Sequence, residues 1–463
     1  MEIFNEGQLK KQLEKVVSTN REIVKQDIYY PSYHIAAPVG LINDPNGWIQ
    51  WNGVYHLFYQ WMPFHTGHGA KLWGHVTSTN LVDWKEEQPA LLPTEVYDKD
   101  GCYSGSAIAY NNKLYLFYTG NVKKDGKREA YQCIAVSEDG IHFEKLGAVI
   151  SVPEGYTAHF RDPKVWQSGE MFYLVLGAQR QDEIGCVVLY QSNDLLNWEF
   201  VNEIAGGYGY MWECPDYFQL DSRDVLIFSP QGLEQDGEKN MNTFQSGYAF
   251  GKWQEDKTLQ LDSFIELDKG FDFYAPQTTL DEKGRRLLFG WMGMADDDEQ
   301  YHPTHQNKWI HQLTIPRELV LKGEQIYQQP VAEMQLLRKE KLLDNEIIAH
   351  KYRFSLPRTV EICASNQNNA DFTISIFGII TIVYSAKSQK ITVSRNTLKN
   401  GEIEFRYGTV KNQVDDFHVF IDQSSLELFI NNGEVVFSMR MFPDADNHVV
   451  EFNGNLVVST WKL

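Results

Sequence analysis

A chain of 463 residues, 43% hydrophobic and 22% charged, is long enough to bury a large core and to fold as two domains. A formal charge of −20 argues against nucleic acid and anionic membrane surfaces as partners, but a locally basic pocket could still take a small anion. The aromatic content of 13% suits an all-β fold rich in aromatic strands.

The N-terminal stretch MEIFNEGQLKKQLEKVVSTNREIVKQ is charged throughout and has no apolar run of signal-peptide length. No later stretch approaches a membrane span, so a cytoplasmic location and no membrane partner are expected. Five cysteines, Cys102, Cys133, Cys186, Cys214 and Cys363, are scattered without CxxC pairs, which predicts free thiols and no structural zinc. Leu9, Leu13, Val16 and Val17 recur at helical spacing, predicting a helix over 6–28 within an N-terminal extension of residues 1–30.

Beyond Pro31 the texture changes to short β-branched and aromatic runs bounded by turn residues. Five segments look alike: NGVYHLFYQW, NNKLYLFYTG, SGEMFYLVLG, SRDVLIFSP and KGRRLLFGW. Their markers Phe58, Phe117, Val175, Phe228 and Phe289 lie 59, 58, 53 and 61 residues apart. A second element, TSTNLVDW, SEDGIHF and SNDLLNW, repeats out of phase with the first. Several strands per period of this length predict a five-bladed β-propeller over residues 31–335.

Some 12 to 15 residues before each marker stand Asp44, Ser104, Asp162, Glu213 and Tyr274. In a propeller the first strand of every blade lines the central channel, so these polar outliers should converge on one cavity. After a short helical linker, PVAEMQLLRKEKLLDNE (330–346, with 336–346 taken as the link proper), apolar and polar residues alternate with short turns. That pattern predicts a β-sandwich over 347–463 without catalytic groups of its own.

Alone, Asn-Asp-Pro-Asn-Gly is a turn, Arg-Asp-Pro an ion pair and Glu-Cys-Pro-Asp a cap or turn. Three carboxylates gathered in one aromatic channel are another matter, because buried like charges are costly. Two carboxylates flanking a glycosidic bond suffice for retaining hydrolysis. Asn43 and Asn46 can donate to Asp44, which suits an ionised nucleophile. Met211, Trp212 and Cys214 flank Glu213, which suits a carboxyl of raised pKa acting as acid/base. Arg161 should keep its neighbour Asp162 ionised, fitting a group that stabilises an oxocarbenium-like transition state. Transfer of the sugar to another sugar, and sugar binding without turnover, remain open on these residues alone.

The same motifs, in the same order, resemble glycoside hydrolase family 32. YHPTHQNKWIHQLTIPREL (301–319) resembles the segment closing that family's catalytic domain, and FIDQSSLELFINNGE (420–434) resembles the signature of its C-terminal sandwich. The resemblance implies cleavage of the β-fructofuranosyl bond of sucrose or sucrose 6-phosphate, with Asp44 as nucleophile, Asp162 as stabiliser and Glu213 as acid/base. It also implies that Asn43, Gln60, Tyr103, Ser104, Arg161, Tyr274 and Trp291 line a fructose pocket, with Leu41 and Ile42 as its apolar wall. A small sugar is then the partner, with no metal or organic cofactor. His68-Gly69 stands where many members have Trp-Gly, a departure that resembles the phosphate-handling branch. From their positions, His68 in the mouth loop and Arg180 in LGAQRQDEIG, where the chain leaves the third marker strand, are the expected phosphate donors.

Overall fold

The computed structural model describes residues 5–463 except residue 297. Five sheets of four or five strands, antiparallel but for one short strand in the first, follow one another along the chain to residue 330. Their first strands are Gly40–Trp51, Cys102–Tyr110, Tyr156–Ser168, Met211–Leu220 and Tyr274–Leu280. Each packs against the first strand of the next sheet, and the fifth returns to the first, so the five line a closed ring. This is the five-bladed propeller that the period predicted.

The marker residues all lie on the second strands, Val54–Met62, Lys113–Lys124, Met171–Arg180, Arg223–Gln231 and Arg286–Met292. The out-of-phase repeat is a recurrent turn. Ser78, Ser137 and Ser192 accept from the backbone N–H three residues on, and Trp84 and Trp198 donate their indole N–H back to Leu81 and Leu195. Ring closure comes from the 301–319 segment. Trp309–Ile310 adds a parallel strand to the first blade, and Gln312–Leu313 pairs with the fifth.

Every inner strand slips register by one extra residue at the position of its polar outlier. Pro45, Pro163, Pro215 and Pro276 sit at four of these bulges, where a residue lacking an N–H leaves no ladder bond unmade. Asp162, Cys214 and Ala275, each preceding such a proline, adopt positive φ of 68°, 48° and 47°. The bulges turn residues that a regular pleat would direct into the blades toward the channel.

The helix spans Glu6–Lys25, three residues shorter than expected, with Asn5 capping it through Gly7 N–H. The expected helical linker is corrected. Only Ala332–Leu337 is helical, as a 3₁₀ turn, and Glu340–Ile348 is a strand paired with Leu456–Lys462. Its Leu342, Leu343 and Ile348 contribute to the sandwich core, and that burial overrides the helical propensity of the sequence. Two six-stranded sheets form the sandwich, packed around Ile362, Phe372, Ile382, Val419, Leu428 and Phe452. Phe420, Phe429 and Val436 of the sandwich share a core with Trp48 and Phe289 of the propeller and with Leu9, Leu13 and Val24 of the helix. Among the described residues no helix is long and apolar enough to cross a membrane.

Candidate active site

The five inner strands bring Asp44, Ser104, Asp162, Glu213 and Tyr274 to one end of the channel. Asp44 accepts from Asn43 Nδ2 at 3.1 Å and, through its other oxygen, from the Ser104 hydroxyl. Gln60 joins these two partners, accepting from Asn43 Nδ2 at 2.5 Å and donating to Ser104 Oγ at 2.9 Å. Burial raises the Asp44 carboxyl above its ordinary range, while Ser104 and Asn43 pull it down and the charge of Glu213 pushes it up.

The three acids meet around Cys214. Its backbone N–H donates to Asp162 Oδ2 at 3.0 Å, its Sγ lies 3.8 Å from Asp44 Oδ2, and it directly follows Glu213. Its positive φ is therefore part of the site, since it aims the N–H at Asp162.

Two expectations about charge are corrected. Arg161 gives its guanidinium to Glu213, with Nε at 3.0 Å and Nη2 at 2.7 Å from Oε1, and stands 4.0 Å from Asp162. Burial raises the Asp162 carboxyl strongly, and Arg161 offsets this only in part. Glu213 is not in an apolar setting either. Its Oε2 accepts from Tyr274 Oη at 2.6 Å and Gln231 Nε2 at 2.8 Å. Of its apolar neighbours, Met211 is fully buried, and Trp212 lies in a blade core stacked on Phe228, because adjacent side chains on a strand point to opposite faces.

Trp291 is 2% exposed, packs beside Tyr274 and Cys214, and keeps an indole N–H without a partner. Tyr103 lies next to Ser104 on the rim, and its carbonyl accepts from Trp73, which is fully buried blade core. Leu41 and Ile42 are the residues expected to form the apolar wall of the pocket. Both are fully buried, Leu41 against Met62 and Ile310 and Ile42 in the core of the first blade.

Both expected phosphate donors have partners of their own. His68 places Nδ1 3.2 Å from Lys71 Nζ and Nε2 3.2 Å from Glu299 Oε1. Arg180 pairs with Asp182 at 3.1 Å and Glu203 at 3.3 Å.

Lys71 and Gln231 escaped the sequence reading. Lys71, 3% exposed, donates to Asn43 Oδ1 at 2.9 Å, and burial pushes its ammonium down to about 7. A lone lysine inside GHGAKLWGH was the available signal for the first. For the second it was a glutamine at the end of a second strand, much as Gln60 is placed in blade one.

Comparison with known proteins agrees with this geometry. The family model for the glycosyl hydrolases family 32 N-terminal domain matches residues 34–330, and that for the family's C-terminal domain matches 323–461. A sucrose-6-phosphate hydrolase of Bacillus subtilis is 47% identical, with 99% of each chain covered. Among solved structures, a mutant Bombyx mori β-fructofuranosidase in complex with sucrose superposes with a TM-score of 0.89 at 34% identity, covering 99% of each chain. The sucrose-6-phosphate hydrolase of Lactobacillus gasseri does so with a TM-score of 0.88 at 30% identity, over 97% of this chain and 96% of that one. With both halves matched and the three acids on three inner strands of one channel, this chain belongs to glycosyl hydrolase family 32.

Proposed function

We propose that this protein is a retaining β-fructofuranosidase that hydrolyses sucrose 6-phosphate and sucrose. The observation that carries the reading is the gathering of Asp44, Asp162 and Glu213 around Cys214, each with different partners. The names of the relatives above point to the same bond.

Asp44 attacks the anomeric carbon of the fructosyl unit while Glu213 gives its proton to the glycosidic oxygen. The fructosyl ester on Asp44 is then cleaved by water, whose proton returns to Glu213. Tyr274 makes this exchange possible without an orphaned group. Its hydroxyl donates to ionised Glu213 and can accept from the protonated form by rotating. Asp162 stabilises the oxocarbenium-like transition state and holds sugar hydroxyls. The reaction needs no metal or organic cofactor. Cysteines that are all free fit a reducing cytosol.

Incubation with a mechanism-based fructosyl label followed by peptide mapping tests the assignment. The label should attach to Asp44, and attachment to Asp162 would sink it. Product analysis at high sucrose should give free fructose as the main product; predominant fructosyl-sucrose would make the protein a transferase on the same intermediate.

A further inference from the structure

The leaving sugar must touch the acid/base, so its surroundings are those of Glu213. On that side Arg161, bonded to Glu213, also reaches His159, with Nη1 2.9 Å from Nδ1. Arg128, from the neighbouring blade, approaches the same Nδ1 at 3.4 Å and lies over the Tyr103 ring at 5.6 Å from its centroid. Both arginines are obligate donors, so Nδ1 of His159 is the acceptor and its proton sits on Nε2. Burial, with the two guanidinium groups, lowers the His159 imidazole to about 4, consistent with a neutral ring.

What distinguishes Arg128 is its lack of an acid. Among the described residues its recorded contacts are His159 and the Tyr103 ring, whereas Arg180 holds two carboxylates and His68 shares Glu299. Its strand, Lys127–Ser137, begins at a hairpin whose residues 123–129, KKDGKRE, carry four cations against two acids. Lys123 lies directly across the ladder from Arg128. In a chain of net charge −20, a half-buried guanidinium facing the leaving-sugar side without a counter-ion is a basic pocket of the kind an anionic substrate requires.

We propose that Arg128, together with the Nε2–H of His159, receives the 6-phosphate of the leaving glucosyl unit, an inference that rests on Glu213 being the acid/base of a β-fructofuranosidase. The guanidinium offers paired donors to phosphate oxygens, and the imidazole N–H adds a third. Tyr103 supports the guanidinium from below.

The test compares kcat/KM for sucrose 6-phosphate and sucrose in wild type, Arg128→Gln, Arg128→Lys and Arg180→Gln, with calorimetric titration of glucose 6-phosphate against glucose. Arg128→Gln should lower the ratio of the two kcat/KM values by about tenfold or more, the loss expected for a charge-assisted contact, and weaken glucose 6-phosphate binding in parallel. Arg128→Lys should recover part of the ratio, and Arg180→Gln should leave it within about twofold. Equal losses on both sugars in Arg128→Gln, or a ratio that collapses in Arg180→Gln, overturns the assignment. A wild-type enzyme that cleaves neither sugar removes the functional reading instead. The glucose 6-phosphate titrations of wild type and Arg128→Gln would then decide the binding site independently.

Discussion

Arg161 reaches across to the next blade and closes on Glu213 at 2.7 Å, leaving its chain neighbour Asp162 at 4.0 Å. One cation thereby serves two acids unequally. Glu213 gets hydrogen bonds, and the buried Asp162 gets only partial compensation.

Glu213→Ala should separate substrates by leaving group. Those that need no protonation should retain far more activity than sucrose, because only the acid's contribution is lost. For sucrose the loss should be on the order of 10³-fold. Azide should speed the second step by replacing the activated water. Parallel losses for good and poor leaving groups, with no azide effect, would take the proton-transfer role away from Glu213.

Asp162→Asn should abolish turnover yet stabilise the fold. Burial raises this carboxyl in the folded state, so the folded chain binds its proton more tightly than the unfolded chain does. The favourable contribution is present at low pH and is lost as pH rises through the folded pKa, leaving a net cost at neutral pH. An amide can still accept from Cys214 N–H without that cost. Calorimetry at pH 7.5 should show Tm higher by roughly 1–3 °C. A lower Tm would mean that the charge is fully compensated by Arg161.

Lys71→Met should move the acid limb of the kcat/KM profile to higher pH. The ammonium lowers the Asp44 carboxyl, and removing it raises a group that must be ionised to attack. The loss should be larger at pH 6 than at pH 8. An unmoved acid limb with uniformly lower activity would assign Lys71 to packing alone.

His34→Ala should loosen the sandwich from the propeller. Both ring nitrogens meet sandwich carboxylates, Nδ1 at 2.9 Å from Asp422 and Nε2 at 3.0 Å from Glu427. Two acceptors require the doubly protonated imidazolium. Burial opposes that charge, but the two hydrogen bonds outweigh it, and the His34 pKa is raised. Its stabilising contribution is therefore complete below the unfolded value and declines as pH rises through the folded one. Arg317 compensates Glu427 in part, so the variant should lose about 3 kcal/mol or somewhat less in denaturant titration near pH 6. The gap from wild type should narrow toward pH 9. A gap independent of pH would show that His34 acts by shape.

The sequence by itself determined the repeat, the family and which carboxylates meet in the channel. Phe58, Phe117, Val175, Phe228 and Phe289 recur because each blade must bury the same strand, and burial imposes a period that any reader of apolar residues can count. Asp44, Asp162 and Glu213 stood out because the repeat places all three on inner strands of one channel, where like charges are costly to bury. The strand at Glu340–Ile348 was not legible, since PVAEMQLLRKEKLLDNE has a helix former's composition and only pairing with Leu456–Lys462 settles it. Tertiary structure also decided who pairs with whom. Arg161 with Glu213, Cys214 with Asp162 and Lys164 with Asp216 are each 52 residues apart, one blade along the ring. Reading Arg161 with Asp162, or Glu213 with Trp212, took chain neighbours for spatial ones. A strand sends adjacent side chains to opposite faces, and a bulge at each proline then changes which face they meet, so the partners of a channel residue come from the next blade.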